Sequence, residues 1–271
     1  MKIFISIDME GCSSVTDFAQ VTPGTPHYAD GKMAMQRDLQ AAIEGARSFG
    51  SMEFLVCDAH GNGLNLGSLP SFGISGVNVV RGHSSHHSMM SGLDPSFDGA
   101  FFIGYHARRG IMSVMSHTYF PECVYAVKAD DKTIGEFGIN AMLCEYYGVA
   151  PLMVSGDEAF CDEAQDFRKD IATARVKKSL SANCALCYHD YADRIKSAVV
   201  QSLKRGKVVP PKPTCPLEVT FFTAAQADAA ALMPDAVRVS GDSVVFTCGD
   251  YRKNFKAMLA GMKLAAAIPI C

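Results

Sequence analysis

The chain has 271 residues, of which 48% are hydrophobic and 20% are charged, and its formal net charge is −3 with a pI near 6.2. This composition is typical of a globular protein that is long enough for a large core. Nucleic acid and anionic membranes bind concentrated positive charge, so neither is expected as a partner. The short basic runs Lys177-Lys178 and Lys204-Arg205 are predicted to be solvated surface.

The N-terminal residues do not resemble an export signal. They contain one lysine, a short apolar run interrupted by Ser6 and no small-residue cleavage site. No stretch of the chain reaches the ~18 apolar residues that a membrane helix needs. We therefore expect a cytoplasmic protein whose cysteines are reduced and mostly buried. Cys184 and Cys187 form a lone CxxC, for which a structural role is predicted while a redox or metal role stays open.

The first 155 residues alternate between strand-like and helix-like segments. The strand-like segments are short, rich in Ile, Val, Phe or Leu, and bounded by Gly, Asp or Asn. Such alternation predicts the α/β class, with a mostly parallel sheet flanked by helices. In chain order, the pattern predicts a strand at 2–7, a helix at 31–48, strands at 53–57, 100–104 and 124–129, a helix at 134–147 and a strand at 151–154.

The pattern changes from about residue 158. Residues 158–206 are predicted to be helical, and an extended, proline-rich link follows at 208–213. We therefore predict an α/β core at 1–157 and a helical and α+β C-terminal region at 158–271, which is either part of the same domain or an oligomerisation element. The last predicted segments are a strand at 217–222, an alanine-rich helix at 223–232, strands near 236–247 and a closing helix at 250–267.

Polar side chains that can bind metal follow the ends of three predicted strands. Asp8 and Glu10 follow the first strand, His60 the second and His106 the third. The carboxyl ends of strands in an α/β sheet form the crevice in which ligands bind, so these side chains are able to converge. Carboxylates and imidazoles are the usual ligands of zinc, and a carboxylate can bridge two ions. Turn or capping roles for the acids, and a structural role for His106, stay open.

Further positions have both a chemical and a structural interpretation. Glu136 could bind metal, but Thr133-x-x-Glu136 also has the spacing of a capping box at the start of a predicted helix. His117, in a predicted loop, could transfer protons near neutral pH or be a surface histidine. Asp58 is compatible with a turn. The segment Ser155-Gly156-Asp157-Glu158 predicts a helix N-cap with acids in the first turn, in preference to a direct catalytic role.

Six short motifs, in this order, resemble those of the DppA-type D-aminopeptidases, a family of zinc peptidases. The resemblance runs from residue 3 to about residue 158, and the order of the motifs is more specific than any one of them. The motifs are Asp-Met-Glu-Gly, Asp-x-His-Gly-Asn, Gly-Tyr-His-Ala, a Ser-His about ten residues further on, Gly-Glu-x-Gly-x-Asn-Ala and Val-Ser-Gly-Asp.

The resemblance implies a dinuclear zinc site and a peptidase activity. It implies that the enzyme cleaves N-terminal D-residues from short peptides, D-Ala-D-Ala among them, and assembles as a homo-oligomeric decamer built from rings that seclude the active sites. His117 matches the histidine proposed as nucleophile or base. The matching zinc ligands are Asp8, which would bridge the two ions, Glu10, His60, His106 and Glu136.

Two questions stay open at this point. Arg108 and Arg109 could pair with a peptide carboxylate, or serve at the surface or in a subunit contact. The rival functions are a dinuclear metal-dependent hydrolase of phosphoesters or non-peptide amides, and a non-catalytic protein that binds metal or peptide. Phosphate sites often combine Gly-rich nests with Lys or Arg, which these motifs lack apart from the arginine pair.

Overall fold

The structure is a computed structural model that describes residues 1–67, 76–82, 86–206, 208 and 211–269. The chain forms two compact units that alternate along the sequence. Unit 1 comprises Met1–Ala107, Ile111–Ser116 and Tyr147–Pro210, and unit 2 comprises Arg108–Gly110, His117–Tyr146 and Pro211–Cys271. A division of the chain after residue 157 stays a prediction.

The regular elements are numbered in chain order. The strands are β1 (Lys2–Ile7), β2 (Glu53–Asp58), β3 (Val77–Val80), β4 (Gly99–Ile103), β5 (Val124–Ala129), β6 (Lys132–Ile134), β7 (Ala150–Asp157), β8 (Ala172–Ser181), β9 (Cys184–Cys187), β10 (Leu217–Phe221), β11 (Ala236–Arg238) and β12 (Ser243–Phe246). The α-helices are α1 (Phe18–Val21), α2 (Tyr28–Phe49), α3 (Glu136–Tyr147), α4 (Glu158–Phe167), α5 (Tyr191–Arg205), α6 (Ala224–Ala230) and α7 (Tyr251–Ala266).

Unit 1 is built on a seven-stranded sheet in the order β3-β2-β1-β4-β7-β8-β9. The first six strands in this order run parallel to their neighbours, and β9 alone is antiparallel, to β8. The expected α/β class, with a mostly parallel sheet flanked by helices, is confirmed. Within the described part of the chain, no helix has both the length and the apolar character that crossing a membrane requires.

Strand β1 is buried on both faces, as a central parallel strand must be. Its odd-numbered isoleucines join the core cluster that also contains apolar residues of α2 and α5. On the other face, the Phe4 ring meets that of Phe97 edge-on, and the Ser6 hydroxyl donates to the Met89 carbonyl at 2.8 Å. This double burial explains why β1 is apolar after Lys2, its partly exposed first residue, apart from one hydrogen-bonded serine.

Helices α2 and α5 cross closely on the face of the sheet that carries this cluster. A Cβ added to Gly45 in α2 would lie 2.9 Å from the Cα of Lys196 in α5. Glycine inside a helix is unfavourable by about 1 kcal/mol relative to alanine. The close approach of the two backbones accounts for its presence at this position.

Unit 2 contains a five-stranded antiparallel sheet in the order β11-β12-β10-β5-β6. Tyr251 of α7 is fully buried, and its hydroxyl donates to the carbonyl of Ile139 in α3 at 2.8 Å. Segment 124–129 forms a strand as predicted, but it belongs to this antiparallel sheet, where it pairs with β10 and β6. Local patterns predict the strand but not its partners, one of which, β10, comes from the C-terminal region.

The prediction that residues 158–206 are helical is wrong in its middle part. Helices α4 and α5 flank an antiparallel pair, β8 and β9. The sequence of β8, ATARVKKSLS, is rich in residues that favour helices, and pairing with β7 overrides that preference. Of the predicted link at 208–213, residues 209 and 210 lie outside the described residues.

The two basic runs have different outcomes. Lys204, Arg205 and Lys178 are exposed as predicted, but Lys177 has no exposed surface, so its assignment to the solvated surface is wrong.

The cysteines of the CxxC are free and exposed on β9. Side chains three positions apart on a strand point to opposite faces, which does not suit a chelating or disulfide pair.

Candidate metal centre

The candidate site of unit 1 lies where the order of the parallel strands reverses. β1 has β2 on one side and β4 on the other, and ligand crevices of α/β sheets open at the carboxyl ends of strands at such a point. Asp8 follows β1 directly, His60 lies just beyond β2, and His106 lies just beyond β4. The topology thus brings together side chains that are distant in sequence.

The segments that follow β1 and β4 run side by side. The N–H of Asp8 donates to the Ile103 carbonyl, and that of Gly11 donates to the Gly104 carbonyl, both at 2.8 Å. Gly104 has φ 68°, and a Cβ there would lie 2.4 Å from the carbonyl oxygen of Asp8. Only glycine therefore permits this approach, which brings His106 to the Asp8 side chain.

Asp8 contacts a different imidazole with each of its carboxylate oxygens. Its Oδ1 lies 3.3 Å from Nδ1 of His60, and its Oδ2 lies 3.6 Å from Nε2 of His106. Glu10 Oε2 lies 3.0 Å from the same Nδ1 of His60. Asp8, Glu10 and His106 are buried, and Asp8, Glu10 and His60 are close enough together to hold one metal ion.

The charges of this cluster determine the state of His60. Burial on its own lowers the pKa of the imidazole, but the carboxylates of Glu10 and Asp8 outweigh burial and raise that pKa well above its usual value. Two buried carboxylates this close together require positive charge beside them. Either an imidazolium or a bound cation meets that requirement.

The two histidines have the hydrogen bonds that metal-binding histidines have. Nε2 of His60 donates to the Val21 carbonyl at 2.8 Å, and Nδ1 of His106 donates to the Ala107 carbonyl at 3.0 Å. Each ring therefore directs its other nitrogen towards Asp8. A carbonyl acceptor on the far nitrogen is the usual support of a metal ligand, so the donor set fits zinc.

Asp58 organises the loop that carries His60, as its predicted turn role implies. Its carboxylate accepts the N–H groups of Asn65 and Leu66 at 2.7 and 2.8 Å, and the Asn65 side-chain amide at 2.7 Å. The same amide donates to the His60 carbonyl at 2.7 Å. Asn65 therefore supports His60, a role that the sequence pattern did not indicate.

Unit 2 contributes its own cluster around Glu136. Oε1 of Glu136 accepts the Tyr119 N–H at 2.6 Å and lies 3.8 Å from Nε2 of His117. The Tyr119 hydroxyl donates to Asn140 Oδ1 at 2.7 Å. The capping-box interpretation is wrong, because Thr133 lies inside β6 and Glu136 is the first residue of α3. The buried Glu136 carboxylate instead contacts the segment around residues 117–119.

Two further positions, Asp157 and Arg109, make contacts within the protein. A helix N-cap lies in segment 155–158 as predicted, and the structure identifies Asp157 as the cap residue of α4, with Oδ1 accepting the Phe160 N–H at 2.9 Å. Arg109 donates to the Pro121 carbonyl at 2.9 Å, and its guanidinium carbon lies 4.6 Å from the centre of the Phe222 ring. These contacts favour the surface alternative for that arginine over binding of a substrate carboxylate.

Comparison with known proteins identifies the family of this chain. The model of a family described as D-aminopeptidase matches residues 1–260. The chain belongs to this D-aminopeptidase family. One member, a D-aminopeptidase from Bacillus subtilis (strain 168), is 32% identical over 282 aligned residues, which span 100% of both chains.

A solved structure from the same family has the same fold. The Zn-dependent D-aminopeptidase DppA from Bacillus subtilis, a self-compartmentalizing protease, matches over 100% of both chains with a TM-score of 0.95 and 31% identity. The family resemblance of the six sequence motifs is thereby confirmed. As a member of a D-aminopeptidase family, the protein is an enzyme.

Proposed function

We propose that the protein is a zinc-dependent aminopeptidase that removes N-terminal D-residues from short peptides, such as D-Ala-D-Ala, at a dinuclear site. Membership of the D-aminopeptidase family supports the reaction, and the zinc dependence of the similar Bacillus enzyme supports the metal. The observation that carries the dinuclear site is the Asp8 carboxylate, whose two oxygens contact two different imidazoles.

Five residues would hold the two ions. Asp8, Glu10 and His60, which lie close together, would hold one ion, and Asp8 and His106 would help to hold the second. Glu136 is proposed as the fifth ligand on the family resemblance. When bound, zinc polarises the scissile carbonyl and lowers the pKa of a bound water from ~15.7 towards ~7.

His117 is the proposed catalytic histidine. Its Nε2 lies 3.8 Å from Oε1 of Glu136, a proposed metal ligand, and this proximity supports a role for His117 in the same chemistry. If His117 acts as a base or as an oxyanion stabiliser, no covalent intermediate forms. If it acts as a nucleophile, it forms an acyl intermediate. The free α-amine of the peptide would pair with a carboxylate of the site, which accounts for cleavage at the N-terminal residue.

The proposal extends to assembly and location. The similar Bacillus enzyme is a self-compartmentalizing protease, which supports a homo-oligomer, and we propose the decamer of the family. Short peptides with D-residues are the proposed partners, with no nucleic acid or membrane. The cysteines of the described residues are free thiols, which suits the reducing cytoplasm.

Metal analysis combined with a substrate panel tests this function. Mass spectrometry of freshly purified protein should find about two zinc ions per chain, as a dinuclear site requires. D-Ala-D-Ala should be hydrolysed, L-Ala-L-Ala and a generic phosphodiester should be poor substrates, and chelation should abolish turnover that zinc restores. Full activity of exhaustively metal-free enzyme, or preferred cleavage of the phosphodiester, would overturn the proposal.

A further inference from the structure

Lys177 is a buried lysine that the proposed chemistry does not use. It lies on β8, has no exposed surface, and directs Nζ at the segment after β1 that we name the ligand loop (residues 8–15). Nζ donates to the carbonyl oxygens of Glu10 at 2.6 Å and Cys12 at 2.9 Å, and also to that of Val15. An ammonium has three donors, and these three carbonyls accept all of them.

A carboxylate anchors the same loop at an intervening residue. Asp38 of α2 is fully buried, and its two oxygens accept the N–H and the hydroxyl of Ser13 at 2.9 and 2.7 Å. The cation therefore binds carbonyls at residues 10, 12 and 15, while the anion binds the donors of residue 13. The loop is tied by opposite charges to two different elements of unit 1.

We infer that Lys177 and Asp38 are positioning residues that set the conformation of the ligand loop and thereby the place of the Glu10 carboxylate. The inference rests on the proposed role of Glu10 as a metal ligand. The carbonyl that Lys177 binds at 2.6 Å belongs to Glu10 itself, whose carboxylate lies 3.0 Å from His60. A shift of that peptide unit moves the carboxylate away from the imidazole.

The energetic cost of this arrangement argues that a precise loop conformation is required. Burying an ammonium is strongly unfavourable unless hydrogen bonds compensate it. An apolar side chain at position 177 would avoid that cost, but it would leave three buried carbonyls without the donor that they have here. The loop would then move to satisfy them, and Glu10 would move with it.

Zinc affinity and a cobalt spectrum of the full-length protein test the inference. Lys177→Met should weaken zinc binding roughly 10-fold or more, measured by competition with a chelator, because lost support of ligands typically costs 10–100-fold. Its Co²⁺ form should show altered visible absorption bands. Lys178→Met, which changes the exposed neighbour, should match the wild type in both measurements. Wild-type affinity and spectrum in a Lys177→Met protein that only melts earlier would overturn the inference.

Two further variants make the result decisive. If Lys177→Met does not fold, Ser13→Ala removes one hydrogen bond to Asp38, and its zinc affinity should fall roughly 5-fold, the equivalent of one net hydrogen bond. An unchanged affinity and cobalt spectrum in Ser13→Ala would then overturn the inference. Glu10→Gln separates the two proposals: normal zinc binding by Glu10→Gln contradicts the metal site itself, whereas weakened binding beside a normal Lys177→Met contradicts only the positioning role.

Discussion

Asp8 Oδ1 lies 3.3 Å from Nδ1 of His60 at the carboxyl end of β1. The other oxygen of the same carboxylate lies 3.6 Å from Nε2 of His106. One short side chain thus joins two histidines that follow the strands on either side of β1. In the proposed dinuclear site, the loss of this shared carboxylate would affect both ions, whereas the loss of an acid that is not shared would affect mainly one.

Asp8→Asn should therefore remove both zinc ions, whereas Glu10→Gln should remove mainly one. An asparagine side chain presents one oxygen and no charge, so it cannot bridge two cations, whereas the Glu10 carboxylate contacts His60 and is not the proposed bridge. Mass spectrometry of the purified variants, with circular dichroism to verify folding, measures this difference. Equal loss of zinc in the two variants would contradict a bridging role for Asp8.

His117→Ala should keep its zinc and lose turnover by ~10²-fold or more, the contribution typical of an acid or base. His189→Ala, which removes an exposed histidine, is the matched control and should retain wild-type turnover. The measurement is kcat for D-Ala-D-Ala at saturating zinc, with zinc content determined on the same samples. A wild-type rate would contradict the catalytic role and favour the alternative that His117 is a surface-loop histidine.

Glu136→Gln should weaken metal binding and leave the thermal midpoint nearly unchanged. Glutamine keeps an oxygen that can accept the Tyr119 N–H, and Thr133 belongs to β6, so no capping box is lost. Calorimetry and chelator competition on one preparation measure the two quantities separately. A stability loss of about 1 kcal/mol with unaltered metal binding would instead indicate that Glu136 has a structural role and is not a metal ligand.

The parts of the site that sequence could predict are those that follow strand ends. Asp8, His60 and His106 each follow an apolar run, so the general rule for α/β sheets predicts that they approach one another. Glu136 was ambiguous because the same spacing suits a capping box. The structure argues against the capping box, because the helix begins at Glu136 itself, and metal binding by Glu136 stays a prediction.

The two anchors of the ligand loop were missed for different reasons. Lys177 stands in a run of charged and small residues, and its burial results from pairing of β8 with β7, which local sequence does not encode. The burial of Asp38 could have been inferred from the sequence, because it falls on the helical stripe that includes Met35, Leu39 and Ala42. An acid on an apolar stripe indicates either a buried hydrogen-bonded carboxylate or an error in the assigned stripe.

Asp38→Asn should change how stability depends on pH. Burial raises the pKa of this carboxyl to about 6, and its hydrogen bonds to Ser13 offset only part of that effect. Because the folded pKa exceeds the unfolded value of about 3.9, the native state binds more protons than the unfolded state between about pH 4 and 6. The contribution of Asp38 to stability is therefore present below about pH 4 and is lost as the pH rises through about 6.

In this variant, the oxygen of the new side-chain amide would accept the Ser13 N–H, and the hydrogen bond of the Ser13 hydroxyl would be rearranged. Position 38 would no longer carry a buried charge. Above about pH 6 the variant should therefore be more stable than the wild type, by at most about 3 kcal/mol for a shift of roughly two pKa units. The gain should fall short of this ceiling because Lys177 loses an anionic neighbour. Thermal midpoints of metal-free protein from about pH 4 to 8 measure the difference, with the exposed Asp30→Asn on the same helix as control. A difference that stays constant over this range would contradict the raised pKa.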